Sequence, residues 1–412
     1  NTPEQEVLIV YTKSSLAEQS SPAHLQTSDS ASSVVQATFV DKDLDAGEMS
    51  GHVTWQEPAD HALVAHYAVY RSLSATGQGP RSKLDDDVAL GTNVMPVALD
   101  LPIGMFSHVL VYSKSASFEQ TTPQAIEIND TESTVSILSV TDSDLDGSEF
   151  GGAVRWNPPQ DEAQVASYVL YLASDAVGAD RTHVGADVPG GTNEAVVPEG
   201  RSLSGPVTNA QLVIYTSSTV AEQTTPASFP VSDMAATVSS VAFADLDLDE
   251  DDLGGEISWD PPADFSRVTH YLAYLANDTA GLGRSQVDVD QEVGTHNATL
   301  PPDTTLAPFT HTVVYTTSSL AEQTTPASEA IVDRLATVPS MNFTDLDLDP
   351  GQIGGTMQWQ EPADAVLITH YVMYAASSAD GVNRSQVGPD VPDGALSAAV
   401  PPELDLGVFA EL

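Results

Sequence analysis

The four tryptophans of this chain are evenly spaced, and they are the only tryptophans among its 412 residues. They lie at Trp55, Trp156, Trp259 and Trp359, at intervals of 101, 103 and 100 residues. This period is too long for a solenoid repeat, but it suits one small globular domain with its own core. The spacing therefore predicts tandem domains of about 100 residues each.

Each tryptophan lies in the same longer stretch of sequence. In the third copy it reads Asp245-Leu-Asp-Leu-Asp249, then Gly254-Gly255, then Ile257-Ser-Trp259-Asp-Pro-Pro, then His270-Tyr271-Leu-Ala-Tyr274. Aligning the copies predicts five segments. They are the C-terminal strands of a partial repeat (1–29), repeat 1 (30–130), repeat 2 (131–232), repeat 3 (233–333) and repeat 4 without its last strands (334–412).

The partial first segment corresponds to the strands that the incomplete fourth repeat lacks. Val7-Leu-Ile-Val-Tyr11 corresponds to Thr312-Val-Val-Tyr315 of repeat 3. Two hypotheses follow. Either the chain is a window of a longer array, or residues 1–29 donate the last strands to the incomplete repeat of a neighbouring molecule.

Within a copy, apolar residues alternate over short runs, such as Glu256-Ile-Ser-Trp259 and His311-Thr-Val-Val-Tyr315. Period-two runs rich in Val, Tyr and Thr, separated by Gly, Pro and Asp, are typical of strands. No segment keeps a helical period. The pattern predicts an all-β fold of tandem antiparallel β-sandwiches in an extended array.

The pattern apolar-x-Trp-x-Pro-Pro-x-Asp, followed by apolar-x-x-Tyr-x-x-Tyr and a late strand ending in Tyr, resembles the fibronectin type III module. The resemblance implies that the tryptophans lie on strand B inside the sandwich. It also implies that strand C begins its inward face at a tyrosine of each copy, and that strand F contains Val109-Leu-Val111 and Val313-Val314. The implied strand C tyrosines are Tyr67, Tyr168, Tyr271 and Tyr371. The Arg-Gly-Asp tripeptide is absent, so the resemblance does not imply integrin binding.

Charge narrows the choice of partners. The chain has 59 acidic residues against 13 Lys and Arg, and its net charge is -46. Phosphate binding requires clustered cations, so we expect no nucleic-acid partner. Such a polyanion needs screening by salt or by divalent cations. There is no cysteine and no apolar run of 18 residues, so thiol chemistry is excluded and no membrane insertion is expected in this segment.

Each copy carries Asp-x-Asp-x-Asp between its first strand and its Trp strand. Carboxylates at this spacing in a loop can supply the oxygen ligands of calcium. An EF-hand is excluded, because Ala153 occupies the place of the bidentate glutamate of the Asp142 loop. Further ligands would come from elsewhere, with Glu48, Glu149 and Asp251 as candidates; the alternative is a plain solvated turn. The predicted Ca²⁺ ligands are Asp41, Asp43, Asp45, Asp142, Asp144, Asp146, Asp245, Asp247, Asp249, Asp345, Asp347 and Asp349.

Histidine and tyrosine recur four residues apart on the predicted strands C and F. Residues i and i+4 of a strand share a face, and inward Tyr271 makes His270 and Tyr274 point outward. This strip suits lateral packing or stacking on sugar rings. A zinc-binding histidine cluster is another alternative, although repeat 2 has Ser167 and Gln211 at the histidine positions, and plain cross-strand packing is the simpler interpretation. The predicted face comprises His66, Tyr70, Tyr112, Tyr171, Tyr215, His270, Tyr274, Tyr315, His370 and Tyr374. Arg81, Arg181, Arg284 and Arg384 are expected to be local salt-bridge partners.

Five sequons of the form Asn-x-Ser/Thr predict N-glycosylation in a secreted protein. They lie at Asn129, Asn277, Asn297, Asn342 and Asn383. Thr-Thr-Pro, as at Thr224-Thr225-Pro226, recurs as well and suits either O-glycosylation or a plain turn.

These observations predict a secreted, extracellular or cell-surface glycoprotein with a structural or adhesive role. Its sandwiches would form an acidic rod or filament that is stiffened by Ca²⁺ and associates with itself head to tail or laterally. The alternative is an array of glycan- or protein-binding modules, accessory to an enzyme or adhesin outside this segment. No catalytic motif is found, and carboxylates are too abundant for any one pair to indicate a glycosidase.

Overall fold

The computed structural model describes residues 7–203, 210–405 and 407. Residues 1–6 of the partial segment, 204–209 of repeat 2, and 406 and 408–412 of repeat 4 lie outside the described residues. The described chain consists of antiparallel strands joined by turns. Among the described residues there is no helix that is long and apolar enough to span a membrane. Contacts divide the chain into two compact units. The first comprises 1–141, 153–197 and 205–232, and the second comprises 142–152, 198–204 and 233–412.

The partial segment forms a hairpin of two strands, β1 (Val7–Val10) and β2 (Ala23–Gln26). Every residue of both strands is exposed, including Leu8 and Ile9. The hypothesis that this hairpin is donated to a neighbouring molecule stays a prediction.

Repeat 1 forms two sheets that enclose a core. Its strands are β3 (Val35–Asp41), β4 (Glu48–Gln56), β5 (His66–Ser72), β6 (Arg81–Lys83), β7 (Val88–Ala89), β8 (Val94–Pro102), β9 (His108–Lys114) and β10 (Gln124–Glu127). One sheet has the order β3-β4-β8; the other has the order β10-β9-β5-β6, with β7 also paired to β5. Trp55, Tyr67 and Val111 lie in the core between them.

Repeat 2 repeats this strand order. Its strands are β11 (Ser136–Val140), β12 (Glu149–Asn157), β13 (Ser167–Ala173), β14 (Thr182–His183), β15 (Val188–Pro189), β16 (Glu194–Ser202), β17 (Gln211–Ser217) and β18 (Ala227–Pro230). The sheets run β11-β12-β16 and β14-β13-β17-β18, with β15 beside β13.

Repeat 3 has the same two sheets with one strand fewer. Its strands are β19 (Ser239–Asp245), β20 (Asp252–Asp260), β21 (His270–Ala276), β22 (Ser285–Glu292), β23 (Asn297–Thr305), β24 (His311–Thr317) and β25 (Ala327–Ala330). The sheets run β19-β20-β23 and β22-β21-β24-β25.

Repeat 4 keeps the first sheet and only pieces of the second. Its strands are β26 (Met341–Asp345), β27 (Gln352–Trp359), β28 (His370–Tyr371), β29 (Tyr374–Ala375), β30 (Ser385–Gln386), β31 (Val391–Pro392) and β32 (Ser397–Asp405). The order β26-β27-β32 is complete, while β28 pairs with β31 and β29 with β30. The strand order of the repeats confirms the predicted all-β sandwich fold.

The tryptophan of each repeat packs on the first tyrosine of the following strand. In repeat 1 the ring centroids of Trp55 and Tyr67 are 5.3 Å apart in an edge-to-face arrangement. Repeat 2 has the same arrangement, and in repeats 3 and 4 the two rings are in contact but tilted. All eight side chains are buried. The predicted inward placement of these residues is confirmed.

The paired glycines of the Trp strand allow neighbouring backbones to approach closely. A Cβ at Gly254 would lie 2.9 Å from the Cα of Pro302, and one at Gly255 would lie 2.5 Å from the carbonyl oxygen of Ala244. Gly255 also has a φ of +146°, which L side chains rarely adopt. These contacts bring the acidic loop and the adjoining strand together.

A candidate joint and cation site in the acidic loops

The acidic loop of each repeat joins the first two strands, and its aspartates form consecutive Asx turns. In repeat 1 the amide of Asp43 donates to Asp41 Oδ1 at 3.0 Å, and the amide of Asp45 donates to Asp43 Oδ1 at 3.1 Å. The same pair of hydrogen bonds occurs in the other three repeats. The alternating spacing is therefore explained locally, since an Asx turn links each side chain to the backbone two residues on.

The first aspartate also receives the linker that leads into the following repeat. Asp41 Oδ1 accepts the amide of Ser50, and its Oδ2 accepts the amide of Thr131 at 3.1 Å. The corresponding linker donors are Met234 to Asp142 and Arg334 to Asp245, both at 2.9 Å. One carboxylate thus ties the loop to its own Trp strand and to the next repeat.

The second aspartate ties the loop to the long strand beside the Trp strand. Asp43 Oδ2 accepts the amide of Asp100 at 3.1 Å, and Asp247 Oδ2 accepts that of Asp303 at 2.7 Å. Repeats 2 and 4 have equivalent bonds from Gly200 and Glu403. This contact lies within one repeat and holds the loop in shape.

The third aspartate reaches a turn of the next repeat, the Gln-Thr-Thr turn, which comprises residues 223–225 in repeat 2 and 323–325 in repeat 3. In the first compact unit Asp45 accepts the amides of Thr224 and Thr225, at 2.6 and 2.9 Å. In the second unit Asp146 accepts the amides of Thr324 and Thr325 at the same two distances. We call this contact between the acidic loop of one repeat and the Gln-Thr-Thr turn of the next the joint. The same groups form it twice.

A leucine of the acidic loop is clamped at the same joint. The carbonyl oxygen of Leu44 accepts from the Ser133 amide at 3.1 Å and from Gln223 Nε2 at 3.2 Å. The carbonyl of Leu145 accepts from the Ala236 amide and Gln323 Nε2 in the same way. The Leu145 side chain is only 2% exposed and packs in the core cluster of repeat 3, with Val268 and Ala236.

The loops differ in how far they are covered. All three aspartates are buried in the loops of repeats 1 and 2, whereas Asp249 and Asp349 of the later loops are exposed. Leu248 of repeat 3 still packs against the repeat 4 core, and its carbonyl accepts from the Ala336 amide at 3.1 Å. The acidic loops of repeats 1 and 2 are thus buried because a Gln-Thr-Thr turn packs against each of them.

Burial disfavours the charged form of these carboxylates. Loss of solvation raises the pKa of Asp41 to about 6, and the amides of Ser50, Asp43 and Thr131 only partly oppose this. Asp142 behaves in the same way, with a pKa of about 6. Lost solvation and then the nearby Asp43 and Asp100 raise the pKa of Glu48. The loop is a place where an added positive charge would be favourable.

Two of the four loops bring enough carboxylates together to hold a metal ion. Side-chain oxygens of Asp43, Asp45, Glu48 and Asp100 lie within 4.8 Å of one another, and so do those of Asp144, Asp146 and Glu149. Glu48 and Glu149 were predicted as additional ligands, while Asp100 was not. Across the part of the chain that the structure describes, the aspartates of repeats 3 and 4 form no such group, and Asp251 instead donates its amide to Asp333.

The donor set fits a hard cation. Calcium takes six to eight oxygen ligands, and a carboxylate offers roughly four lone-pair sites. Asp43 accepts two amides, and Asp45 accepts two amides and the Thr224 hydroxyl, so both carboxylates retain capacity for a cation. The remaining ligands would be backbone carbonyls or water.

The predicted aromatic face lies on the outer side of the second sheet, but an arginine covers it. In repeat 3 the rings of Tyr274 and Tyr315 meet edge to face at 5.7 Å, and the Arg284 guanidinium lies 4.5 and 4.4 Å from their centroids. Glu322 pairs with Arg284 at 2.5 Å and accepts from the Tyr274 hydroxyl at 3.2 Å. The two tyrosines are 9% and 3% exposed, so little ring area is open.

Repeats 1 and 2 contain the same cluster, with Tyr70, Tyr112, Arg81 and Glu119 in one and Tyr171, Tyr215, Arg181 and Glu222 in the other. The predicted salt bridges of these three arginines are present. In repeat 4, Arg384 covers Tyr374 alone, and that tyrosine is exposed. Burial, and then the hydrogen bond to Glu119, raise the pKa of Tyr70 to about 12.

The predicted histidines and glycosylation asparagines do not come together in one site. His66, His270 and His370 each begin strand C, and among the described residues no histidine joins a group of potential metal ligands. The sequon asparagines Asn129, Asn297, Asn342 and Asn383 are exposed, and Asn277 is half-buried. Glycosylation at all five stays a prediction.

Sequence reasoning missed the Gln-Thr-Thr turn as a binding element. The Thr-Thr-Pro motif was noted only as a glycosylation context or a turn, although its amides bind Asp45 and Asp146. A signal was present, because Glu-Gln-Thr-Thr-Pro and Asp-x-Asp-Leu-Asp recur together in repeats 1 to 3.

Comparison with solved structures finds a similarity to the crystal structure of chicken CNTN1 FN1-FN3 domains. Sequence identity is 15%, the match covers 70% of this chain and 96% of that chain, and the TM-score is 0.23. No family model matches the chain, and neither does any curated protein. So distant a likeness carries no information about function, and the fold assignment rests on the strand order itself.

Proposed function

We propose that this chain is a structural or adhesive protein of the extracellular space or cell surface. Its fibronectin type III-like repeats would form an extended acidic rod or filament, in which the acidic loops set the angle between neighbouring repeats. The observation that carries the proposal is the repeated joint, in which Asp45 and Asp146 each bind two amides of the following repeat.

Calcium would stiffen these joints in repeats 1 and 2. The support is the group of converging carboxylates, which includes the same Asp45 and Asp146 that hold the Gln-Thr-Thr turns. A cation there would reduce repulsion between the carboxylates and favour the charged forms that accept the threonine amides. Two such ions would offset only a small part of a net charge of -46, so their role would be local.

The test is a thermal melt of the chain in millimolar Ca²⁺ and in excess chelator, with small-angle scattering on both samples. We expect Ca²⁺ to raise the melting temperature and to give a longer, stiffer particle. A free concentration of 100 Kd corresponds to about 2.7 kcal/mol of stabilisation per site. Glu48→Gln with Glu149→Gln should reduce the rise, while the exposed Glu329→Gln serves as the matched control.

Mg²⁺ and NaCl at matched ionic strength separate a specific site from screening. If either reproduces the effect of Ca²⁺, the loops are solvated acidic turns, and the proposed metal sites are wrong. Glycan binding, the alternative function, has less support because Arg81, Arg181 and Arg284 already stack on the tyrosine rings.

A further inference from the structure

The carboxylate groups in the acidic loops of repeats 1 and 2 are not equivalent. Repeat 1 brings four carboxylates together, and repeat 2 brings three together. The difference is Asp100, whose place in repeat 2 is taken by Gly200; the amides of both residues bond the second aspartate of their loop. Because calcium affinity depends on the number of charged ligands, the two groups should differ in how strongly they hold the ion.

The number of acidic residues does not by itself explain the group in repeat 1. Repeat 3 has an acidic residue at every position that corresponds to these four carboxylates, including Asp252 and Asp303, yet its described residues form no such group. Repeat 1 differs from repeat 3 in having a Gln-Thr-Thr turn against its loop, and in having Ser50 where repeat 3 has Gly254. The serine is therefore a second feature that sets repeat 1 apart.

The Ser50 hydroxyl is buried beside the carboxylate group. Ser50 is 0% exposed, and its Oγ has no hydrogen-bond partner among the described residues. Ser50 follows Glu48 by two positions on β4, so both side chains project from the same face of the strand. At Gly254, the corresponding residue of repeat 3, a Cβ would lie 3.5 Å from the Cβ of Asp247, the counterpart of Asp43. The Ser50 side chain therefore brings a buried, unpaired oxygen to the carboxylate group.

Repeat 2 has no room for a hydroxyl at this position, which is Gly151. A Cβ there would lie 2.9 Å from Leu320 Cδ2 and 2.7 Å from the Cα of Glu199. The residue of repeat 2 that corresponds to Leu320 is the shorter Val220. Serine and valine at one joint thus take the places of glycine and leucine at the other, and an oxygen replaces an apolar contact.

We propose that the acidic loop of repeat 1 holds the tighter of two Ca²⁺ sites, and that the Ser50 hydroxyl is a neutral ligand of this ion. Calcium takes six to eight oxygen ligands, and a hydroxyl without another partner can supply one without giving up a hydrogen bond. Ca²⁺ would then stiffen the joint between repeats 1 and 2 at a lower concentration than the joint between repeats 2 and 3. The inference rests on the proposed function and specifies the order in which the joints respond.

The test is a calorimetric Ca²⁺ titration of the full chain, together with hydrogen exchange at the two joints. We expect two classes of site. The peptide that contains Thr224 and Thr225 should become protected at a lower Ca²⁺ concentration than the peptide that contains Thr324 and Thr325. Ser50→Ala should weaken the tighter class about tenfold, the lower end of the loss seen when a group that supports a metal site is removed, and should leave the weaker class unchanged.

Thermal melts separate a ligand from a packing residue. In chelator, Ser50→Ala removes a buried hydroxyl that has no partner, so the melting temperature should not fall. In millimolar Ca²⁺ the same variant should melt below the unmodified chain, because the ion has lost a ligand. Ser113 on β9 also has a buried Oγ without a partner among the described residues, and its amide bonds Gln120, outside the acidic loop. Ser113→Ala is therefore the matched control and should have the same effect in both conditions.

The outcomes distinguish this inference from the proposed function. Two sites of equal affinity, a tighter site in repeat 2, or a Ser50→Ala chain that binds Ca²⁺ as the unmodified chain does would overturn the inference. So would a Ser50→Ala chain that is destabilised equally with and without Ca²⁺. Each of these results leaves the proposed calcium stiffening in place, because Ca²⁺ still binds, whereas a chain that binds no Ca²⁺ contradicts both.

Discussion

At the residue scale, three glycines leave room for the tyrosine rings of the aromatic clusters on the second sheet. Gly77, Gly178 and Gly281 have positive φ, and a Cβ on any of them would overlap the hydroxyl of Tyr112, Tyr215 or Tyr315. The Tyr315 hydroxyl donates to the carbonyl of Ala280 at 3.1 Å, which fixes the ring under Arg284. Glycine is therefore required at these positions for two reasons. The turn needs a positive φ, and the tyrosine hydroxyl leaves no room for a Cβ.

Gly281→Ala should accordingly destabilise repeat 3 more than the equivalent change destabilises repeat 4. Alanine in the left-handed region costs about 1–2 kcal/mol in either place. At Gly281 the displaced Tyr315 hydroxyl also loses a hydrogen bond, which adds about 1 kcal/mol. Gly381 has a similar φ of +74° with no tyrosine above it, so Gly381→Ala is the matched control.

Hydrogen exchange read separately in β21 and β28 would measure the two effects. Equal acceleration of exchange in both strands would mean that the tyrosine contact contributes nothing measurable.

At the scale of elements, the acidic loop stabilises the repeat that follows it as well as its own. Leu145 belongs to the loop between β11 and β12 but packs in the core cluster of repeat 3. A loop anchored in this way couples the folding of two adjacent repeats, because its removal opens a cavity in the second one.

Leu145→Ala should therefore destabilise repeat 3 by about 2–5 kcal/mol, the usual range for a fully buried leucine. The same substitution at Leu348, which is 96% exposed in the equivalent loop, should change stability by less than about 0.5 kcal/mol. Urea denaturation with peptide-resolved hydrogen exchange would assign the loss to a repeat. A Leu145→Ala chain in which only repeat 2 loosens would contradict the coupling.

At the scale of the whole molecule, repulsion between the many negatively charged side chains opposes folding. The net charge of -46 is spread along the chain, and the few cations are largely committed to local pairs such as Arg81–Glu119 and Lys114–Asp87. Buried carboxylates in the acidic loops add repulsion at the points where neighbouring repeats meet. Stability should therefore depend strongly on ionic strength.

Raising NaCl from 0.01 to 0.1 M shortens the Debye length from about 30 to about 10 Å, and the melting temperature should rise. Differential scanning calorimetry in chelator would measure this without a divalent contribution. A melting temperature that falls or stays constant over this range would show that the acidic surface does not limit stability.

The sequence alone was sufficient for the fold. Alternating apolar runs, the tryptophan period and the Tyr-x-x-Tyr spacing identified the sandwich, and Trp55 and Tyr67 lie where they were predicted. These features depend on which face of a strand a residue occupies, and that follows from the two-residue period of the strand. The recurring aspartates likewise marked the acidic loop as the distinctive element of each repeat.

Only the tertiary structure decided what the aspartates bind. Asp45 and Thr224 are far apart in sequence, and their contact depends on how one repeat follows another, which no local pattern encodes. The same holds for the aromatic face: strand periodicity placed Tyr274 outward, but it did not predict that Arg284, which lies just before the neighbouring strand β22, covers this ring. Local periodicity determines the side of a sheet that a residue faces, whereas contacts between distant elements determine whether that side is open.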